Sequence, residues 1–249
     1  MALTSEQKQH YDDLGYVLVP GVFSKEEAAE MRREAHALAE RLQKIRNIDA
    51  TWGSVQSGKT VILHCHDVQF QSGIFARMIV DPRFTSCAQS IIGPNVQLHH
   101  TKMFIKPPEK GSPFPMHQDH PYFPHQNHSM IAAVIHFDDA PIEKGCLRVV
   151  PGSHQLGPIA PENPKDHSLS AEKYPIESAT PCPAKAGDVL FFSYLTIHGS
   201  GVNTSSEART TVLVQLRDPA DPPIAEMHKS NGQGMMLAGI DPTCAVKKS

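Results

Sequence analysis

The chain is predicted to be mainly β with flanking helices around a jelly-roll core, and three features of the sequence carry that prediction. Beyond residue 95 the β-rich segments VQLHHTKMFIKPP, MIAAVIHFDDA, GCLRVVPGSH, GDVLFFSYLTIHGSG and RTTVLVQLRDP follow one another, punctuated by Gly, Pro and Asp. No amphipathic helix intervenes, which favours a sandwich or jelly-roll barrel over βαβ units. Prolines (21) outnumber glycines (16), and most of both lie after residue 80, as suits short strands and long loops. Helical patterning is concentrated ahead of the β segments.

In chain order, Thr4 or Ser5 can cap a short helix over SEQKQHYDD, which Gly15 ends. Tyr16–Val19 reads as a short strand. Ser24 then caps a longer helix with Glu26 and Glu27 in its first turn, where the helix dipole favours negative charge. Ala28, Met31, Ala35, Leu38 and Leu42 keep a three-to-four spacing, so one face of that helix is buried. Residues 47–60 read as a loop, and residues 72–92 as two helical stretches broken at Asp81-Pro82. These elements make a single domain: a mostly helical outer shell (1–93), the jelly-roll core (94–219) and a C-terminal extension (220–249) whose NGQGMMLAG stretch reads as flexible.

Composition narrows the function classes. Net charge is −3 with no basic stripe, so no nucleic-acid partner is expected. The polar N-terminus has no apolar signal region, and no apolar run approaches the ~20 residues of a membrane helix. The five cysteines form no CxxC motif and read as reduced thiols. A cytoplasmic protein without membrane insertion is expected, as a monomer or homodimer acting on a small molecule.

Fifteen histidines invite a metal, and spacing has to select among them. His117 and Asp119 are separated by one residue, so on an extended strand both side chains point to one face. His198 closes an apolar β segment 81 residues on (198 − 117) and must come from another strand. Two histidines and one carboxylate on one face of a six-coordinate ion leave three open positions, the facial triad of non-haem iron(II). Arg209 opens the strand 209–216, on which Arg209, Thr211, Leu213 and Gln215 share a face. If that face is the lumen, the guanidinium can bind a carboxylate through two parallel hydrogen bonds, and the distal carboxylate of 2-oxoglutarate is such a partner. A His-rich zinc or nickel loop at His120, His125 and His128 is a rival that lacks a clear fourth ligand. A three-histidine, one-glutamate metal set has no match at the right spacing.

The stretches GYVLVPGVFSKEE, KPPEKGSPFPMHQDHPYFP, EKGCLRVVPGSHQLGP and AGDVLFFSYLTIHGSGVNTSSEAR resemble the phytanoyl-CoA dioxygenase family of iron(II)/2-oxoglutarate oxygenases, in the family's order and over most of residues 14–216. The resemblance implies a double-stranded β-helix, the cupin-like jelly roll, with helices outside. It implies His117, Asp119 and His198 as iron ligands and Arg209 with Ser200 as holders of the 2-oxoglutarate carboxylate. Lys102, and His64 or His66, fall near further co-substrate positions, a solvated lysine being the alternative for Lys102. Tyr122 and Phe123 follow HQD and either wall the pocket or pack in the core.

The implied reaction uses Fe(II), 2-oxoglutarate and O₂, with ascorbate in support, to hydroxylate an unactivated C–H with release of succinate and CO₂. Related halogenases carry a small residue where Asp119 stands, so hydroxylation is expected over halogenation. Desaturation or cyclisation on the same scaffold, and a catalytically silent metal- and 2-oxoglutarate-binding sensor, are the alternatives. Where several family members have a tryptophan beside the metal, this chain has Ile135, which is expected to reduce side-chain bulk in the pocket.

Overall fold

A computed structural model describes residues 2–45, 63–108, 113–225 and 228–244; the loop expected over 47–60 lies outside them. Helix α1 (Ser5–Leu14) opens on a capping box between Thr4 and Gln7 and stops at Gly15, whose positive φ of 80° ends the helix without a Cβ penalty. Strand β1 (Tyr16–Val19) leads into α2 (Lys25–Lys44), capped by Ser24 and Glu27 in the same reciprocal way. After β2 (Leu63–His66), helices α3 (Gly73–Val80) and α4 (Pro82–Ile92) share Asp81, which ends one and caps the other.

The remaining strands are β3 (Val96–Lys106), β4 (Phe114–His117), β5 (Ile131–His136), β6 (Leu147–Val149), β7 (Thr180–Cys182), β8 (Val189–Ser193), β9 (His198–Ser200), β10 (Arg209–Arg217) and β11 (Met236–Ala238). They form two antiparallel sheets. The larger runs β1-β8-β5-β10-β3-β11, with β2 also on β3, and the smaller runs β4-β9-β6-β7. This is the double-stranded β-helix, mainly β with helices outside.

The large sheet is buried on both faces. One face carries Met103, Ile105, Ile131, Ala133, Ile135, Val189, Phe191, Val212 and Val214 and packs with the buried stripe of α2 and the apolar sides of α3 and α4. The other turns Ala132, Val134, Leu190 and Phe192 towards Leu147 and Val149 of the small sheet. Double burial explains why β5 and β8 read as unbroken apolar runs, since alternation with polar residues appears only where one face meets water.

Three sequence expectations change. The helical shell feeds the large sheet, through β1, the short strand expected at Tyr16–Val19, and through β2, which was not expected. FFSYLTIHGSG is two strands in different sheets, with the crossing at Tyr194–Ile197. The stretch after Pro219 is no loose extension: β11 pairs with Val96 and Gln97 of β3, continuing the edge that β2 occupies at residues 102–105.

Candidate active site

His117 and His198 are cross-strand partners in the β4–β9 pair. Gly199 permits the close approach, because a Cβ there would lie 2.8 Å from both Met116 Sδ and Phe114 O. Asp119 reaches the pair by a route the sequence reading did not foresee. The strand ends at His117, and Asp119 has helical φ,ψ of −76° and −22° at the start of a 3₁₀ turn. The backbone N–H groups of Asp119 and His120 both donate to Tyr194 O (2.9 and 3.1 Å). Between the two ligand candidates the buried Gln118 points away, donating to Leu195 O (2.6 Å) and Gly157 O (3.0 Å) and accepting from Ile159 N. A turn pinned on both sides, and not strand alternation, aims His117 and Asp119 at one point.

At that point one ligand atom from each of His117, Asp119 and His198 lies within 4.8 Å of the others. Asp119 Oδ1 stands 3.5 Å from His117 Nε2 and 3.7 Å from His198 Nε2. Each imidazole is oriented from behind, with Nδ1 of His117 2.8 Å from Pro115 O and Nδ1 of His198 2.9 Å from Thr196 O. A carbonyl can only accept, so both rings carry their proton on Nδ1 and turn the Nε2 lone pair inward, the tautomer a metal requires. Gln215 Nε2 donates to Asp119 Oδ2 (2.6 Å), leaving Oδ1 for the centre. Burial opposes charge on all three groups. It pushes His198 down to about 4, with repulsion from His117 adding to it. Burial acts against ionised Asp119 too, but His198, His117 and Gln215 outweigh it and hold the carboxyl below its usual range. Burial likewise acts against charge on His117, where bonding to Asp119 prevails and raises it.

The cluster opens into a cavity of about 380 Å³ between the sheets, lined also by Arg209, Thr211, Leu213 and Gln215, the face of β10 expected to meet the lumen. Arg209 is buried and donates to Gly145 O, while its Nε has no partner. Burial lowers its pKa to about 10, and no carboxylate among the described residues pairs with it. Ser200, Lys102, His64 and His66 line the same cavity, as do Tyr122 and Phe123, which also pack with Tyr194 and Leu195.

Ile135 is a correction. It lies in the helix-facing core, one strand position from the lumen, and the cavity-lining residue of β5 is Val134, opposite Leu213. The small side chain beside the site is thus Val134. His120, His125 and His128 do not gather around a common point: among the described residues the only three-donor group is His117, Asp119 and His198.

Four polar residues went unnoticed as site residues in the sequence. His100 and His228 line the cavity, and Gln215 orients Asp119. Lys106, fully buried, stands opposite Arg209 in the β3–β10 register. Its signal was available, since it shares strand parity with Lys102. His228 had none, being in the segment read as flexible.

A His-Asp-His cluster within a double-stranded β-helix, in the same cavity as a buried arginine with no carboxylate partner among the described residues, is the arrangement of an iron- and 2-oxoglutarate-dependent oxygenase. The chain belongs to the phytanoyl-CoA dioxygenase (PhyH) family, whose model matches residues 11–211. It is similar to the ectoine dioxygenase of Bordetella parapertussis, 28% identical over 246 residues, covering 89% of this chain and 79% of that one. It is also similar to the peroxisomal phytanoyl-CoA dioxygenase of Bos taurus, 27% identical, covering 87% of this chain and 69% of that protein. Among solved structures, the epimerase SnoN in complex with Fe3+, alpha-ketoglutarate and nogalamycin RO superimposes with a TM-score of 0.72 at 25% identity, covering 95% of this chain and 96% of that one. Among the described residues no helix is long and apolar enough to cross a membrane.

Proposed function

We propose that this chain hydroxylates an unactivated C–H of a small organic molecule, consuming 2-oxoglutarate and O₂ and releasing succinate and CO₂. The observation that carries the reading is the shared cavity: three inward-facing metal donors and a buried guanidinium with an unused N–H. His117, Asp119 and His198 would hold the iron, which supplies O₂ activation coupled to oxidative decarboxylation of the co-substrate. Arg209 and the Ser200 hydroxyl hold the distal carboxylate of 2-oxoglutarate. The carbonyl contacts behind the histidines and the Gln215 amide keep the donors aimed without relying on the ion. Val134, Leu147, Phe192 and Leu213 wall the cavity with apolar surface, which limits water at the reacting carbon.

The substrate's polarity follows from the β2–β3 side of the cavity, next to Leu213 in the same sheet. His66, His100, Lys102 and His228 gather there, with ring centroids 4.6 Å apart for His100–His228 and 5.7 Å for His66–His228. Among the described residues the cavity's one carboxylate is Asp119. This wall suits a substrate with an anionic or acceptor-rich end.

The test is release of labelled CO₂ from carboxyl-labelled 2-oxoglutarate, with iron, over a panel of small acids and their amides, followed by mass analysis of products. Gain of one oxygen atom, with acids preferred, is the expected result. Loss of two hydrogens, or a product of unchanged mass with an inverted centre, as the similar epimerase would suggest, would overturn hydroxylation and keep the oxygenase. No substrate-linked CO₂ release over the panel would favour the sensor reading.

A further inference from the structure

Behind the Ser200 wall the structure holds a second buried basic side chain. Lys106 is fully buried; its Nζ donates to Gly201 O at 2.6 Å and lies 2.9 Å from Ser200 Oγ. Among the described residues the groups around it are few. Arg209 stands opposite on β10, the Cys146 thiol precedes β6, and the Phe114 ring of β4 lies 5.6 Å from Nζ. His136 lies beyond and feels Arg209. No carboxylate among the described residues pairs with Lys106 or Arg209. Two neighbouring buried cations with no paired carboxylate among the described residues are strongly unfavourable, and the amine, unlike the guanidinium, can escape by releasing its proton.

We propose that Lys106 is a positioning residue for the co-substrate: it takes up a proton from solvent when the 2-oxoglutarate carboxylate arrives beside Arg209, and thereby turns the Ser200 hydroxyl towards that carboxylate. The switch follows from donor chemistry. A neutral amine can donate to Gly201 O and still accept the Ser200 O–H on its lone pair. An ammonium has three donors and no acceptor, so Ser200 Oγ must accept from it and point its own hydrogen into the cavity, which Ser200 lines. The direction agrees with the electrostatics, since burial first and Arg209 second lower the Lys106 pKa to about 6 before any anion is present. The inference rests on the co-substrate reading above, and the experiment separates the two.

Calorimetric titration of the Mn(II)-loaded protein with 2-oxoglutarate at neutral to mildly alkaline pH, in buffers of different ionisation enthalpy, counts the protons taken up. Uptake approaching one proton per ligand is expected for the wild type and none for Lys106→Met. Affinity in that variant should fall about 10- to 100-fold, the size of one charge-assisted hydrogen bond. Lys106→Arg, which holds its charge throughout, should recover affinity without proton uptake. Binding by the wild type with no proton uptake, or unaltered uptake and affinity in Lys106→Met, would overturn the inference and leave the co-substrate reading standing. Failure of the wild type to bind 2-oxoglutarate would overturn both. If the methionine variant does not fold, the wild-type proton count still decides.

Discussion

At the residue scale the site works by leaving each donor one free direction. Backbone carbonyls take the Nδ1 protons of His117 and His198, and Gln215 takes one oxygen of Asp119. What remains faces the centre. Asp119→Ala is therefore expected to abolish iron-dependent decarboxylation and to lose most Mn(II) affinity by calorimetry. Gln215→Leu keeps all three ligands but frees Oδ2 to rotate inward, so metal affinity should fall about 10- to 100-fold, as for other residues that support a ligand. Lys106 has a signature in the protein without co-substrate. Its folded pKa of about 6 lies below its ordinary 10.5, so between those values the unfolded chain binds more protons than the folded one. Stability from this residue rises with pH across that window and is lowest at its acid end. Thermal melts of wild type minus Lys106→Met should show that slope; a flat difference would mean the amine is charged in the fold.

At the element scale, strand parity decides which side chains meet the ligand. Ile135 and Val134 are neighbours on β5, yet one packs with the helices and the other lines the cavity. Ile135→Ala should destabilise by about 2–5 kcal/mol, as large-to-small core changes do, while 2-oxoglutarate affinity stays as it was. Val134→Phe should instead restrict the primary substrate at little change in melting temperature. Parity also shifts within β3. Gln215 pairs with His100 and Leu216 with Leu98, so His99 is the extra residue of a bulge. The bulge places Val96 and Leu98 on the same core side as Met103 and Ile105, while His100 stays with Lys102 at the cavity. No periodic reading of VQLHHTKMFIK carries that slip from Leu98 to Met103, whereas His100, on the near side of the bulge, keeps the parity of Lys102 and Lys106.

At the scale of the molecule, the two sheets form the cavity, and the last stretch of chain completes a wall of it. Asp221 accepts from Asn127 N and from Ser129, β11 covers the β3 edge, and His228 joins His66 and His100. A chain ending at Ala225 keeps the Asp221 anchor and loses the rest. It should melt at lower temperature, expose the edge of β3 to self-association visible by light scattering, and retain metal binding, because the triad lies on β4, the turn after it, and β9.

Much of this was legible in the sequence because it is local. Capping boxes, the Asp81-Pro82 break, the buried stripe of α2 and the β-rich core segments depend on residues a few positions apart. The donors His117, Asp119 and His198, and Arg209 with its strand face, were identifiable because their chemistry is unusual at those spacings. The structure alone decided that a pinned turn joins Asp119 to His117, that Val134 and not Ile135 sees the cavity, and that the terminal stretch folds back. It alone placed Lys106 beside Arg209, with no carboxylate paired to either among the described residues. Periodicity tells which side chains share a face, but which face meets the lumen, and which charge goes unanswered there, depends on strands some hundred residues apart in the chain and adjacent in the fold.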